Sequence, residues 1–275
     1  MFFHIKELAY EAKPERPDPV FAKNLQELIG GQFGEMSVMN QYLFQAWGTR
    51  KNDKYRDLLL DTGTEEIGHI ELLSTMVARL LDDAPVTELE TAAASNPAMA
   101  AIIGGTNPQH AIVSGLAAMP KDSVGVPWNG GYVAASGNLL ADMRANLNAE
   151  SQGRLQAVRL FEQTDDRGIK DMLSYLIARD TMHQNQWLAA IYELEQQEGV
   201  VVPNTFPRKL EKTEVSYLFL NHSMGDESSK GRWASGPSMD GMGTFQYVRD
   251  VPPFGSAPKL KPAPPAEHNT PPNLK

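Results

Sequence analysis

The chain has 275 residues, enough for one sizeable domain with its own core, or one domain with extensions. It is acidic, with a net charge of −9 and an isoelectric point near 5.2, which argues against nucleic acid or an anionic membrane surface as partner. It contains no cysteine, which removes disulfides, thiol nucleophiles and thiolate metal sites from consideration.

The opening MFFHIKELAYEAKPERPDP is broken by charge almost at once and does not read as a signal peptide. No apolar run approaches the ~18 residues of a membrane helix, so a soluble cytoplasmic protein is expected. After PERPDP, apolar residues at spacings of three and four (Leu25, Leu28, Ile29, Met36, Met39, Leu43) predict a helix from about Phe21 to Trp47. TRKNDK makes a turn, and a second helix is expected from Asp53 to Leu81. Residues 82–135, with DDAP, SNP, GGTNP and GVPWNGG, are too long for an ordinary connection and read as a crossover between helices. A third helix is expected from Ser136, as N-cap, to about Thr164. After DDRG a fourth runs to about Glu198. Two hairpins joined by one long crossover predict an all-α, ferritin-like four-helix bundle over residues 1–199. Residues 200–275 are expected to form an irregular, finally proline-rich extension laid on its own or a neighbouring subunit.

Each helix carries acids or histidines among its apolar residues. Glu35 lies on the first, Glu66 and His69 on the second, Glu150 on the third, Asp180 and His183 on the fourth. The spacing repeats. Glu35 and Glu66 are 31 apart and Glu150 and Asp180 are 30 apart; Glu35 and His69 are 34 apart and Glu150 and His183 are 33 apart. Each half is thus a helix with one inward Glu followed by a helix with acid-x-x-His. Carboxylates with two imidazoles suit a pair of metals such as Fe or Mn, and in a bundle core this is the pattern of dinuclear carboxylate sites. A lone ExxH on a charged helix is common, and Glu65 and Glu71 are expected on the solvated face. Four helices agreeing in register carry the dinuclear reading. Asp180 stands where the first half has Glu66 and is one methylene shorter. Glu66 is therefore expected to bridge both metals, with Asp180 held behind as an acceptor for His183 or another group.

GGQFGEMSVMNQYLFQ (30–45), TEEIGHIELL (64–73), NLNAESQGRL (146–155), ARDTMHQNQWLAAI (178–191) and NHSMGDESSKGRW (221–233) resemble the non-haem manganese catalases over nearly the whole chain. The resemblance implies that Glu35 and His69 bind one manganese and Glu150 and His183 the other, with Glu66 bridging. It implies disproportionation of hydrogen peroxide by two-electron cycling, with Glu35 or Asp180 moving protons. It implies a homohexamer with tails wrapping neighbours. In some members it implies calcium bound by Asp57, Asp61, Asn221, Ser223 and Gly225. From the residues alone, Asp57 and Asp61 are equally a solvated acidic pair. Some members place an Arg just before the third-helix glutamate, paired with a Glu before the last histidine. Here those positions are Ala149 and Asp180, and Arg179 is a candidate substitute for that Arg. Tyr42 is expected as core packing.

Two other readings share the fold and ligands: a ferritin-type iron-oxidising or storage protein, and a non-catalytic assembly component. The metal that copurifies, and oxygen release from peroxide, separate them.

Overall fold

Proline and side-chain caps decide where the helices begin. A computed structural model describes residues 3–82, 105–203, 206–264 and 267. The chain divides into two compact units, Met1–Asn204 and Thr205–Lys275, each described by itself. In the first, Asp18 accepts from the Phe21 N–H and Pro19 opens α1, Pro19–Leu25. A short α2, Glu27–Gly30, follows, then α3, Glu35–Gly48, and α4, Asp53–Leu81.

The single helix expected over residues 21–47 is therefore broken, and the break falls at GGQFG. Gly31 and Gly34 are both extended. A Cβ on Gly30 would stand 2.3 Å from the Lys121 carbonyl oxygen, so the chain passes there only because the residue is glycine. The break starts α3 at Glu35 and gives that residue the first helical position.

Within the expected crossover, residues 83–104 lie outside the described residues. The returning part carries α5, Pro108–Ile112, and a 3-10 turn at Gly130–Tyr132. It is fastened to the first helices by polar side chains. Gln26 donates to the Lys121 carbonyl (2.8 Å) and accepts from the Met119 N–H (3.1 Å). Gln41 accepts from Ala134 N–H (2.9 Å), and the Trp128 indole donates to Ser37 Oγ (3.0 Å).

α6 spans Leu139–Phe161, capped by Asn138, which accepts from the Ala141 N–H. Ser136, expected as that cap, instead donates its N–H and hydroxyl to Asp142 (2.8 and 2.7 Å), which fixes the entry to the helix. α7, Arg167–Glu198, starts at the Asp166 cap and stops at Gly199, whose φ of 65° closes the helix in the left-handed conformation.

α3 packs along α4 and α6 along α7, and α3 touches α6 as α4 touches α7. Their apolar residues fall into two buried clusters. One gathers Leu72, Leu73, Met76, Leu80, Met172 and Leu176 with residues of α1 and α2; the other gathers Val38, Tyr42, Leu59, Met143, Trp187 and Leu194. Between the two, on every one of these helices, stand the residues of the candidate site.

The second unit corrects the all-α expectation. It holds a three-stranded sheet of β1 (Leu218–Leu220), β2 (Ser235–Pro237) and β3 (Thr244–Val248), in the order β1-β3-β2. β1 pairs parallel and β2 antiparallel to β3. Strands of three to five residues among Gly, Ser and Met are too short to show alternation in sequence. From Pro252 to Pro264 the chain is exposed and without regular structure. The rest of the proline-rich end, Glu267 apart, lies outside the described residues. Among the described residues, no helix is long and apolar enough to cross a membrane.

Gly30→Ala is expected to destabilise the first unit by about 1–3 kcal/mol, the usual range for forcing extra volume into a packed site. Chemical denaturation of the variant beside the parent measures it; an unchanged midpoint would show that the Lys121 segment yields without cost.

Candidate metal centre

Five of the side chains expected in the site meet in one polar layer. Glu35 enters from the first turn of α3, Glu66 and His69 from the middle of α4, Glu150 from α6 and His183 from α7. One turn of α4 places Glu66 and His69 on one face, and His69 Nδ1 lies 2.6 Å from Glu66 Oε2 and 3.9 Å from Glu35 Oε2. His183 Nδ1 lies 3.0 Å from Glu66 Oε1 and 3.3 Å from Glu150 Oε1. Two groups of three result, Glu35–Glu66–His69 and Glu66–Glu150–His183, each with its candidate ligand atoms within 4.8 Å of one another. Glu66 belongs to both.

The layer is dry. Glu66 and Glu150 are 1% and 4% exposed, and both imidazoles are buried. Burial pushes the Glu35 carboxyl up to about 8, with the Glu66 charge adding to it. Burial acts upward on Glu66 too, but the facing imidazoles outweigh it and hold that carboxyl down at about 2. Against the pull of burial toward neutrality, Glu150, Glu65 and Glu66 raise His183 to about 12, and Glu66 leads the groups that raise His69 well above its usual range. The cluster thus draws positive charge to itself. Four buried atoms make no hydrogen bond of good geometry: Glu66 Oε1 and His183 Nδ1, which face into the layer, and His69 Nε2 and His183 Nε2, which face out of it toward Glu65. Such atoms are costly to bury unless something satisfies them. Facing carboxylate oxygens and imidazole nitrogens with that deficit fit a pair of divalent cations.

Asp180 is buried and lines a narrow cavity with Phe33, Glu35, Ala149, Glu150 and Gly153. About 10 Å³ is open there to the centre of a water-sized molecule. Burial, followed by the charges of Glu35, Glu150 and Glu66, pushes Asp180 up to about 9. Ala149 leaves the cavity wall small. Asp180 is not the group facing the far nitrogen of His183. Glu65 is, at 3.2 Å from Nε2.

Three residues of the site differ from their expected parts. Glu65, expected on the solvated face, is half-buried, and Arg179 donates to it from Nε (2.6 Å) and Nη2 (3.2 Å). That position of Arg179 is behind the histidines. The signal was present in sequence: Glu65 and Arg179 each stand four residues before a histidine, one on each helix, with opposite charge. Tyr42, expected as packing, does lie tilted against Trp187, and it also donates a short hydrogen bond to Glu150 Oε1.

Asp57 and Asp61 are exposed one turn apart on α4. In the second unit, Asn221 accepts from the Ser223 N–H (3.0 Å) and donates to the Gly225 carbonyl (3.1 Å), so these three residues form one local turn.

Comparison with known proteins agrees with this chemistry. The family described as manganese containing catalase matches residues 1–275. A manganese catalase of Bacillus subtilis is 64% identical over 270 residues, 98% of each chain. One from Lactiplantibacillus plantarum is 44% identical over 271 residues, 98% of this chain and 99% of its own. The crystal structure of KatB, a manganese catalase from Anabaena, superposes with a TM-score of 0.72 at 27% identity, covering 90% of this chain and 99% of that chain. With a match that runs from the first residue to the last and relatives this near, the chain belongs to the manganese-containing catalase family, enzymes that disproportionate hydrogen peroxide to water and dioxygen.

Proposed function

We propose that the buried layer binds two manganese ions per subunit, Glu35 and His69 holding one, Glu150 and His183 the other, and Glu66 bridging. The observation that carries this reading is the membership of Glu66 in both three-residue groups. The surrounding architecture is read as a ferritin-like four-helix bundle of α3, α4, α6 and α7, with the long connection between α4 and α6 as its crossover. Bound there, a metal pair would supply a two-electron store between successive peroxides, so that no outside reductant would be needed.

The protein's own task is to move protons and to select what enters. Oxidising one peroxide to dioxygen releases two protons, and reducing the next to two waters consumes two. Glu35 and Asp180 both open on the narrow cavity, and burial favours the protonated form of each, so they are placed to hold protons between the half-reactions. Tyr42 steadies Glu150 through its hydroxyl. The cavity admits little more than a water-sized molecule, which keeps larger reductants away from the layer.

The same reading includes a cytoplasmic homohexamer in which residues 200–275 form an extension. Exposed Phe44, Trp47, Leu188 and Tyr192 supply apolar surface for a subunit contact. It also includes calcium, with Asp57 and Asp61 among its donors. The support is that two exposed carboxylates one turn apart are donors a hard cation takes.

Purified protein is expected to contain two manganese per chain by mass spectrometry and to release oxygen promptly on addition of peroxide. Iron in that position with little or no oxygen would return the reading to iron oxidation or storage. Glu66→Gln is expected to fall well below two manganese per chain and to lose oxygen evolution; a variant keeping both metals and full activity would sink the bridging assignment. Asp180→Asn is expected to keep both metals while turnover falls about 100-fold, the lower end of what a positioned proton-transfer group contributes. Unchanged turnover would remove Asp180 from the reaction.

A further inference from the structure

The two histidines point the same way. His69 shows Nδ1 to Glu66 and Glu35, and His183 shows Nδ1 to Glu66 and Glu150. Their other nitrogens turn outward from the layer and converge on one side chain. Glu65 Oε1 stands 3.5 Å from His69 Nε2, and Glu65 Oε2 stands 3.2 Å from His183 Nε2. On its far edge the same carboxylate is gripped by Arg179, through Nε to Oε1 at 2.6 Å and Nη2 to Oε2 at 3.2 Å. Each oxygen of Glu65 therefore faces one imidazole Nε2 at ion-pair distance and accepts from one N–H of the guanidinium. The ring centroids of the two histidines are 5.9 Å apart, a separation that a single carboxylate spans.

We infer that Glu65, clamped by Arg179, is the positioning residue for both metal-binding histidines at once. This rests on the reading of His69 and His183 as ligands. A neutral imidazole carries its hydrogen on one nitrogen and offers a lone pair from the other. An acceptor at Nε2 fixes the hydrogen there, leaves the Nδ1 lone pair for a cation, and holds the ring plane. In a site with one such acceptor per histidine, each metal position would be tuned separately. Here one carboxylate sets both, so the two positions are coupled through the outside of the cluster by Glu65 as they are through the inside by its neighbour Glu66. Arg179 gives the arrangement its rigidity: a two-point grip on the carboxylate leaves it little freedom to turn toward one ring at the expense of the other. It also neutralises a charge that would otherwise attract cations to the outside of the layer.

The chemistry makes a specific prediction. Losing Glu65 weakens both metal positions by a common factor, whereas losing an ordinary support of one ligand weakens one of them. The test is stepwise manganese binding by equilibrium dialysis, with metal content read by mass spectrometry, on the parent, Glu65→Ala and Arg179→Met. The expected result is that both stepwise constants fall about 10- to 100-fold together in Glu65→Ala, the range found for partners that orient a metal ligand. In Arg179→Met, which keeps the carboxylate but frees it, both should fall by a smaller common factor, with the helical circular dichroism of the parent retained. A Glu65→Ala variant that binds both equivalents as the parent does, or weakens only one, overturns the inference. Should that variant fail to fold, Arg179→Met decides alone: unchanged constants, or a change in one only, overturn it. A parent that binds no manganese refutes the ligand reading instead, so the two failures are told apart.

Discussion

Burying carboxylates between apolar layers is the constraint on which the rest of this structure depends. Glu66 and Glu150 lie on helices whose neighbouring turns above and below are Leu, Met and Trp, and neither has solvent to stabilise its charge. An isolated carboxylate in such surroundings costs several kcal/mol. The cluster meets that cost by arranging the charges so that each has a counterpart: imidazoles between the acids, Arg179 behind Glu65, and manganese in the reading proposed for the family's chemistry. Glu66 Oε1 and His183 Nδ1, which make no hydrogen bond inside the layer, are the part of this balance that the protein's own groups leave unfinished.

Helices are what make the balance geometric. A turn of α4 brings Glu66 and His69 to one face and Glu65 to the same histidine from the other side. The apolar clusters on both sides pack the helices together and keep these carboxylates and imidazoles in one layer. The break at residues 31–34 contributes as well. By restarting the helix at Glu35, it puts that carboxylate at a helix N-terminus, where the backbone field favours negative charge. Burial is still the stronger influence there, which leaves Glu35 able to take up a proton.

How far this was legible in sequence follows from which signals are periodic. α4 and α7 are readable because long apolar repeats leave little choice, and Glu66, His69, Glu150 and His183 are readable because their spacing recurs in both halves. The interruption at GGQFG is not, since Met36, Met39 and Leu43 continue the apolar rhythm across it. What forces the break is the approach of Lys121, from a segment far along the chain, to Gly30. Ser136 reads as a cap in sequence, whereas its bond to Asp142 makes it the brace of a turn, a distinction between neighbours that spacing cannot draw. The sheet of the second unit was invisible for want of length. Glu65 was misjudged because it looks outward from its own helix; its burial comes from α7, through Arg179 and His183.

That last residue shows where the likeness between the halves ends. Glu35 is matched by Glu150 and His69 by His183, while Glu66 is answered by the shorter Asp180. One turn before each histidine the halves differ in sign, Glu65 on α4 and Arg179 on α7. The difference is required by the packing. Both positions face the same space between the helices, where their polar atoms come within 2.6 Å. Two glutamates there would set like charges in contact beside an already acidic layer, and two arginines would leave neither histidine an acceptor. Opposite charges at this position let the two halves close on each other, and they turn the outward edge of both histidines toward a single carboxylate.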